Sequence, residues 1–195
     1  MGVLIMIIID LMLVMLFIVT ITLLSGRKIM SNPRVFQTIF TVWVIYSPLS
    51  DLIEGYKLGY TGISSIIGFI AIMLAIFIWG YRKNTYRYTI HNVKEDDVIN
   101  IIVNFLERKN INYKVSNEEI QLLDTYDSIY IRHLTEIILD FKEIKNRDFY
   151  NEIIEEVKSE IKKIDKKHLS MDGVLYLVFT LFLLWSRFTF LKIFI

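Results

Sequence analysis

The feature that most constrains this chain is the separation of its charged residues from its longest apolar run. Residues 3–24 contain a single charged side chain, Asp10, whereas residues 140–168 are crowded with acids and bases. Hydrophobic residues make up 54% of the chain, which exceeds the usual share in a water-soluble domain. This segregation predicts two environments, a lipid-embedded part and a polar part exposed to water.

Four apolar stretches predict membrane-spanning helices, because each approaches the roughly 20 residues that a helix needs to cross a bilayer. The first three occupy most of residues 1–84, and the fourth ends the chain. Between the first two, Ser31-Asn32-Pro33 favours a helix start, since Asn caps a helix and Pro fits its first turn. The predicted fold class is a membrane α-helical protein with one inserted α+β domain. The spans are predicted at about residues 3–24, 34–53, 60–80 and 169–195.

The inserted domain is predicted at residues 85–168, where the periodicity changes. Alternating polar and apolar residues indicate strands, and two amphipathic patterns indicate helices, so we expect a largely antiparallel sheet packed against two helices. Asn92 and Glu95 resemble a capping box that opens the first helix, and Phe105 lies on that helix's apolar face. The expected order is β-α-β-β-β-β-α, with later elements at about 111–115, 119–123, 128–132, 136–141 and 147–167.

The distribution of basic residues predicts an orientation. Given four spans, three basic clusters fall on one side of the membrane, and the positive-inside rule makes that side cytoplasmic. We therefore expect a multi-pass protein of the cell membrane, with both termini outside and residues 81–172 cytoplasmic. The abundance of Ile, Lys, Asn, Tyr and Phe favours a low-GC bacterium. The clusters are Arg27, Lys28 and Arg34; Arg82, Lys83 and Arg87; and Lys162, Lys163, Lys166 and Lys167.

Few patterns in the sequence point to chemistry. The chain has no cysteine, and its three histidines, His91, His133 and His168, lack the spacing of a zinc motif. No glycine-rich phosphate loop or nucleophile elbow is present. A net charge of +1 argues against nucleic acid as a partner. We therefore predict no cofactor, no metal and no enzymatic activity.

The charges at Asp10 and Arg187 are unusual because both lie inside apolar stretches. A carboxylate in a lipid span costs roughly 2.5 to 3.5 kcal/mol on insertion scales, and such groups are usually paired or functional. Both lie at a similar depth from the chain ends, so we expect them to form a structural ion pair. The alternatives are an ion pathway, or a snorkelling Arg187 with a protonated Asp10.

The architecture favours a non-enzymatic, membrane-anchored interaction or regulatory protein that acts through its α+β domain. Its plan resembles that of small membrane proteins of low-GC bacteria, some of which give immunity to bacteriocins or phage. That resemblance rests on architecture alone. Its partners would be the lipid bilayer and a second protein or another copy of the chain. One alternative is a subunit of an oligomeric transporter or channel that uses Asp10 and Arg187, and a weaker one is a membrane-bound hydrolase.

Overall fold

The structure, a computed structural model, describes residues 2–133, 135–165 and 171–193. Within its helices, the side chains of residues 2–9, 12 and 186–193 and of several positions between 35 and 47 lie outside that description. The chain forms two compact units. Unit 1 comprises Met1–Ser31 and Arg87–Ile195, and unit 2 comprises Asn32–Tyr86.

The described residues form helices and strands in the following order. They are α1 (Gly2–Leu24), β1 (Ile29–Ser31), α2 (Pro33–Lys57), α3 (Ile63–Lys83), β2 (Arg87–His91), α4 (Glu95–Arg108), β3 (Tyr113–Ser116), β4 (Glu119–Leu122), β5 (Ser128–His133), β6 (Ile137–Asp140), α5 (Tyr150–Lys163) and α6 (Asp172–Ile193).

Unit 1 is built on a six-stranded antiparallel sheet in the order β1-β2-β6-β5-β4-β3. From β2 to α5 the order of elements is the predicted one. Apolar residues from alternate strand positions and from α4 and α5 form one buried core, as expected for a sheet with helices on one face. Fully buried members include Ile102, Leu106, Ile120, Ile129, Leu139, Phe141, Ile153 and Val157.

The sixth strand, β1, is not predicted from the sequence. It contains only three residues and pairs with β2 through the partners Ile29 and His91, Met30 and Ile90, and Ser31 and Thr89. Three residues are too few to show a periodicity in the sequence. They are extended because they pair with the neighbouring strand β2. As a result, the chain segment after α1 is part of the same sheet as residues 87–140.

Helices α1 and α6 also belong to unit 1 and pack against each other. The buried hydroxyls of Thr20 and Thr180 lie 3.1 Å apart. Gly173 on α6 packs closely against Leu24 on α1. A Cβ atom added to this glycine would lie only 3.1 Å from Leu24 Cδ2. Because the later position on α6 meets the earlier position on α1, the two helices run antiparallel.

Unit 2 is a hairpin of α2 and α3. Asn32 caps α2 by accepting a hydrogen bond of 3.0 Å from the Arg34 backbone N–H, with Pro33 in the first turn, which confirms the predicted helix start. The Arg34 guanidinium lies 4.1 Å from the centre of the Tyr81 ring and donates to the Tyr81 carbonyl. This contact joins the first turn of α2 to the last turns of α3.

The prediction of a four-span membrane protein is wrong. Within the described residues, α3 alone is long and apolar enough to cross a membrane. Helices α1 and α6 supply only the shorter apolar stretches Leu13–Leu24 and Asp172–Trp185. Counting apolar residues overestimates spans because part of the apolar surface is covered by protein; Leu16 and Leu23, for example, are buried.

The structure is a mostly α+β fold with an antiparallel sheet. The expected multi-pass location, with both termini outside and residues 81–172 cytoplasmic, is also wrong. That orientation required four spans, and the described residues provide one candidate. The basic clusters therefore do not establish which side of a membrane any segment occupies.

Candidate functional site

Three ionisable side chains meet beside one end of strands β2 and β6. His91 is the last residue of β2, Glu136 immediately precedes β6, and Asp172 is the first residue of α6. Because Ile90 pairs with Ile137 in the antiparallel ladder, His91 and Glu136 lie one step beyond that pair. Alternation along the strands turns both side chains to the same face of the sheet.

The three side chains are close enough to share one ligand. His91 Nδ1 lies 2.9 Å from Asp172 Oδ2 and 3.8 Å from Glu136 Oε2. One ligand atom from each residue lies within 4.8 Å of the other two. The exposed fractions of the side chains are 8% for His91, 2% for Asp172 and 29% for Glu136. The cluster is therefore largely buried, with Glu136 at its accessible side.

The cluster disfavours having both of its carboxyl groups ionised at the same time. Burial raises the pKa of Glu136, and the charge of Asp172 raises it further, whereas His91 lowers it. Tyr176, one turn after Asp172 on α6, has its pKa raised to about 12 by burial and by the Glu136 and Asp172 charges. Like any tyrosine at neutral pH, it is protonated and can act as a hydrogen-bond donor.

Asn92 fixes the backbone next to the cluster. Its φ is +61°, in the left-handed region that Asn tolerates better than most residues. Its Nδ2 donates to the carbonyls of Leu23 at 2.8 Å and Arg27 at 2.9 Å. The side chain thus joins the end of β2 to the end of α1. The predicted capping box is wrong, since the N-cap of α4 is Lys94, which makes no side-chain cap.

The intramembrane pair predicted from the sequence is not tested by these contacts. Asp10 is exposed on α1, and the side chain of Arg187 lies outside the described residues. Of the other histidines, His133 is 51% exposed with its Nδ1 3.4 Å from Glu95 Oε2, and His168 lies outside the described residues.

Other acids of unit 1, which could in principle serve a hydrolase, have structural roles. Asp140 Oδ2 accepts a hydrogen bond of 2.8 Å from Arg87 Nε, and Asp127 Oδ2 accepts one of 2.6 Å from Arg147 Nε. Asp96 and Asp97 lie in the first turn of α4, where acids favour the helix dipole. Within the described residues, the ionisable side chains that meet in a mostly buried position are instead those of His91, Glu136 and Asp172, and no sequence motif connects them.

An imidazole nitrogen and two carboxylate oxygens can hold a divalent cation or share protons. Three ligands from distant chain segments leave no spacing motif, so only the fold reveals the cluster. Comparison with protein-family models, curated proteins and solved structures finds no match. The fold and the cluster define an α+β protein with a six-stranded antiparallel sheet and a buried histidine–carboxylate site.

Proposed function

We propose that this chain is a non-enzymatic interaction or regulatory protein that attaches to a lipid bilayer through unit 2 and binds its partner through the sheet of unit 1. The observation that carries the attachment is the exposure of α3. None of the described residues of this apolar helix is buried, and Ile63, Ile67 and Ile72 are each about 60% exposed. A surface of this kind is rare on a protein surrounded by water.

Two common explanations of an isolated apolar helix do not apply to α3. A core helix would be buried, and α3 is not. A signal sequence would lie near the N-terminus, and α3 begins at Ile63. The helix also ends in Trp79, Tyr81, Arg82 and Lys83, the combination of aromatic and basic residues that lies at the border between lipid and water.

The strand pairing restricts how unit 2 can meet the bilayer. Unit 2 is inserted in the chain between β1 and β2, and these two strands pair with each other. Both ends of the inserted segment must therefore lie on the same side of the membrane. A single crossing by α3 would separate the paired strands. We accordingly propose that residues 32–86 enter the lipid and return to the side from which they came.

The face of the sheet opposite α4 and α5 is the proposed binding surface. Alternation along β5 and β6 places Tyr130, Arg132 and Ile138 on this face, and all three are at least partly exposed. The Arg87–Asp140 ion pair adds fixed polar groups to it. Aromatic, aliphatic and arginine side chains together are typical of protein-binding surfaces.

Membrane attachment can be tested by cysteine accessibility, because the chain has no cysteine of its own. Ile72→Cys places a thiol at a position 62% exposed on α3, and Tyr126→Cys places one at a position 76% exposed in unit 1. In membrane vesicles that have been made permeable, so that the reagent reaches both faces, a water-soluble maleimide should label Tyr126→Cys. Ile72→Cys should remain unlabelled until the membranes are dissolved in SDS.

A third variant, Tyr60→Cys, reports on the tip of the hairpin, where the side chain is 83% exposed. Accessibility from the same face as Tyr126→Cys is the expected result, because the segment is proposed to return to the side from which it came and, within the described residues, α3 alone could cross the bilayer. Accessibility only from the opposite face would contradict the proposal. Recovery of the chain in the soluble fraction, or equal labelling of Ile72→Cys and Tyr126→Cys in membranes, would contradict the attachment.

The binding surface can be tested with a photoreactive amino acid. At position 132, on the open sheet face, it should give one discrete cross-linked product in cells. At position 155, on the outer surface of α5, it should give none, although Glu155 is 72% exposed. Equal cross-linking at both positions, or none at position 132, would argue against this surface.

A further inference from the structure

We propose that His91, Glu136 and Asp172 form a binding site for a divalent cation of the zinc class. The three residues provide one imidazole nitrogen and two carboxylate oxygens, a ligand set that suits Zn²⁺ and its first-row neighbours. This inference goes beyond the proposed function and does not depend on membrane attachment, because all three ligands belong to unit 1.

The separations between the ligand atoms fit such an ion. Two ligand atoms 2.0 to 2.1 Å from a tetrahedral zinc ion lie about 3.3 Å from each other. The observed distances from His91 Nδ1 are 2.9 Å to Asp172 Oδ2 and 3.8 Å to Glu136 Oε2, on either side of that value. The third separation, between the two carboxylate oxygens, is at most 4.8 Å. A shift of the partly exposed Glu136 side chain would bring the three atoms within reach of one ion.

The charge of the cluster also favours a cation. Two carboxylates in a mostly buried site repel each other, and no Lys or Arg in the described part of the chain forms an ion pair with either. Protonation of His91 would neutralise only one of the two charges. A divalent cation would neutralise both and would replace the 2.9 Å hydrogen bond between His91 and Asp172 by two metal–ligand bonds.

Neighbouring groups hold the ligands in place. Asn92 ties the backbone next to His91 to the end of α1 through two hydrogen bonds. Tyr176 lies one turn after Asp172 on α6, and this spacing places it on the same face of the helix. Three protein ligands leave a fourth position for water or for a group of a partner. The ion would join β2, β6 and α6, which come from distant parts of the chain.

The alternative is that the cluster is a metal-free hydrogen bond that only stabilises the fold. Zinc content distinguishes the two. The full chain, purified in detergent, is dialysed against a zinc buffer and its metal content is measured by mass spectrometry. We expect one zinc ion per chain, and substitution by Co²⁺ should give visible absorption bands of a low-symmetry nitrogen–oxygen site.

Glu136→Gln is the main test variant, because Glu136 is partly exposed and its removal leaves the His91–Asp172 bond intact. We expect its zinc affinity to fall at least tenfold. Glu95→Gln is the matched control: Glu95 Oε2 lies 3.4 Å from His133 Nδ1, and no third ligand joins this pair among the described residues. Its zinc content should equal that of the unmodified chain.

Asp172→Asn provides a second variant, and near-ultraviolet circular dichroism checks that each variant is folded. If Asp172→Asn does not fold, Glu136→Gln decides the question alone. The proposal is overturned if the unmodified chain retains no zinc. It is equally overturned if Glu136→Gln binds zinc as tightly as Glu95→Gln does, since the ion would then be bound elsewhere.

Discussion

The Nδ1 atom of His91 lies 2.9 Å from Oδ2 of Asp172, although the two residues are 81 positions apart in the chain. This buried contact joins the last residue of β2 to the first residue of α6. It therefore fixes where α6 begins relative to the sheet. The contribution of this contact to the free energy of unfolding can be measured without any bound metal if a chelator is present throughout.

Replacing Asp172 by Ala should lower the free energy of unfolding by about 3 kcal/mol, because it leaves a buried imidazole without its partner. Urea unfolding of the detergent-solubilised chain in EDTA measures this change. Asp148→Ala, at an exposed position, is the control and should change stability by less than about 0.5 kcal/mol. Equal stability of the two variants would show that the His91–Asp172 contact contributes nothing.

Asn92 combines a left-handed backbone with two side-chain hydrogen bonds. Asn92→Gly keeps the backbone conformation and loses the bonds, so it should cost about 1 to 2 kcal/mol. Asn92→Ala also strains the backbone and should cost about 1 kcal/mol more. At the exposed Asn110, whose φ is +54°, substitution by Gly should be nearly neutral. Thermal unfolding tests this order. The order would be refuted if Asn92→Ala were more stable than Asn92→Gly.

The buried hydroxyls of Thr20 and Thr180 couple α1 to α6 at 3.1 Å. Thr180→Val should cost about 1 kcal/mol, because the hydroxyl of Thr20 loses a partner. The double variant, with Val at both positions, should be less damaging than the sum of the single changes, since neither helix then carries a buried hydroxyl that lacks its partner across the contact. Chemical unfolding of all four chains gives the coupling. Strictly additive effects would mean that the two hydroxyls do not stabilise each other.

The pair of Asp10 and Arg187 remains a prediction that the packing of α1 and α6 favours. Asp10 lies as many positions before Leu24 as Arg187 lies after Gly173, and Leu24 packs against Gly173. In an antiparallel pair this places both residues at the same level. We expect Asp10→Asn and Arg187→Gln each to reduce the amount of folded protein, and the double variant to be less affected than their sum. Additive losses would rule out the pair.

Phe105 is a core residue of α4 that contacts Phe149, with 4% of its surface exposed. Phe105→Ala should lower the free energy of unfolding by about 3 to 5 kcal/mol, because it leaves a cavity beside Phe149 in the core. Urea unfolding provides the measurement. Val115→Ala, at a side chain 43% exposed, is the control and should have little effect. A small loss for Phe105→Ala would place this residue outside the core.

Local patterns determined much of unit 1. The alternation in β4 and β5 and the apolar face of α4 are properties of short segments, so the sequence predicts them within a few residues. The helix start at Asn32 and Pro33 is equally local, because a cap needs only neighbouring residues. The apolar stretches also form helices, as predicted, but the prediction that four of them span a membrane is wrong.

The tertiary structure alone decided the features that depend on distant contacts. The three residues of β1 are extended because β2 pairs with them, so two segments that are far apart in the chain become neighbours in one sheet. Whether an apolar helix spans a membrane depends partly on what covers it, as burial of Leu23 on α1 and exposure of α3 show. His91, Glu136 and Asp172 become a site only when β2, β6 and α6 meet. Periodicity reports the neighbours of a residue along the chain, whereas a ligand set depends on which segments the fold brings together.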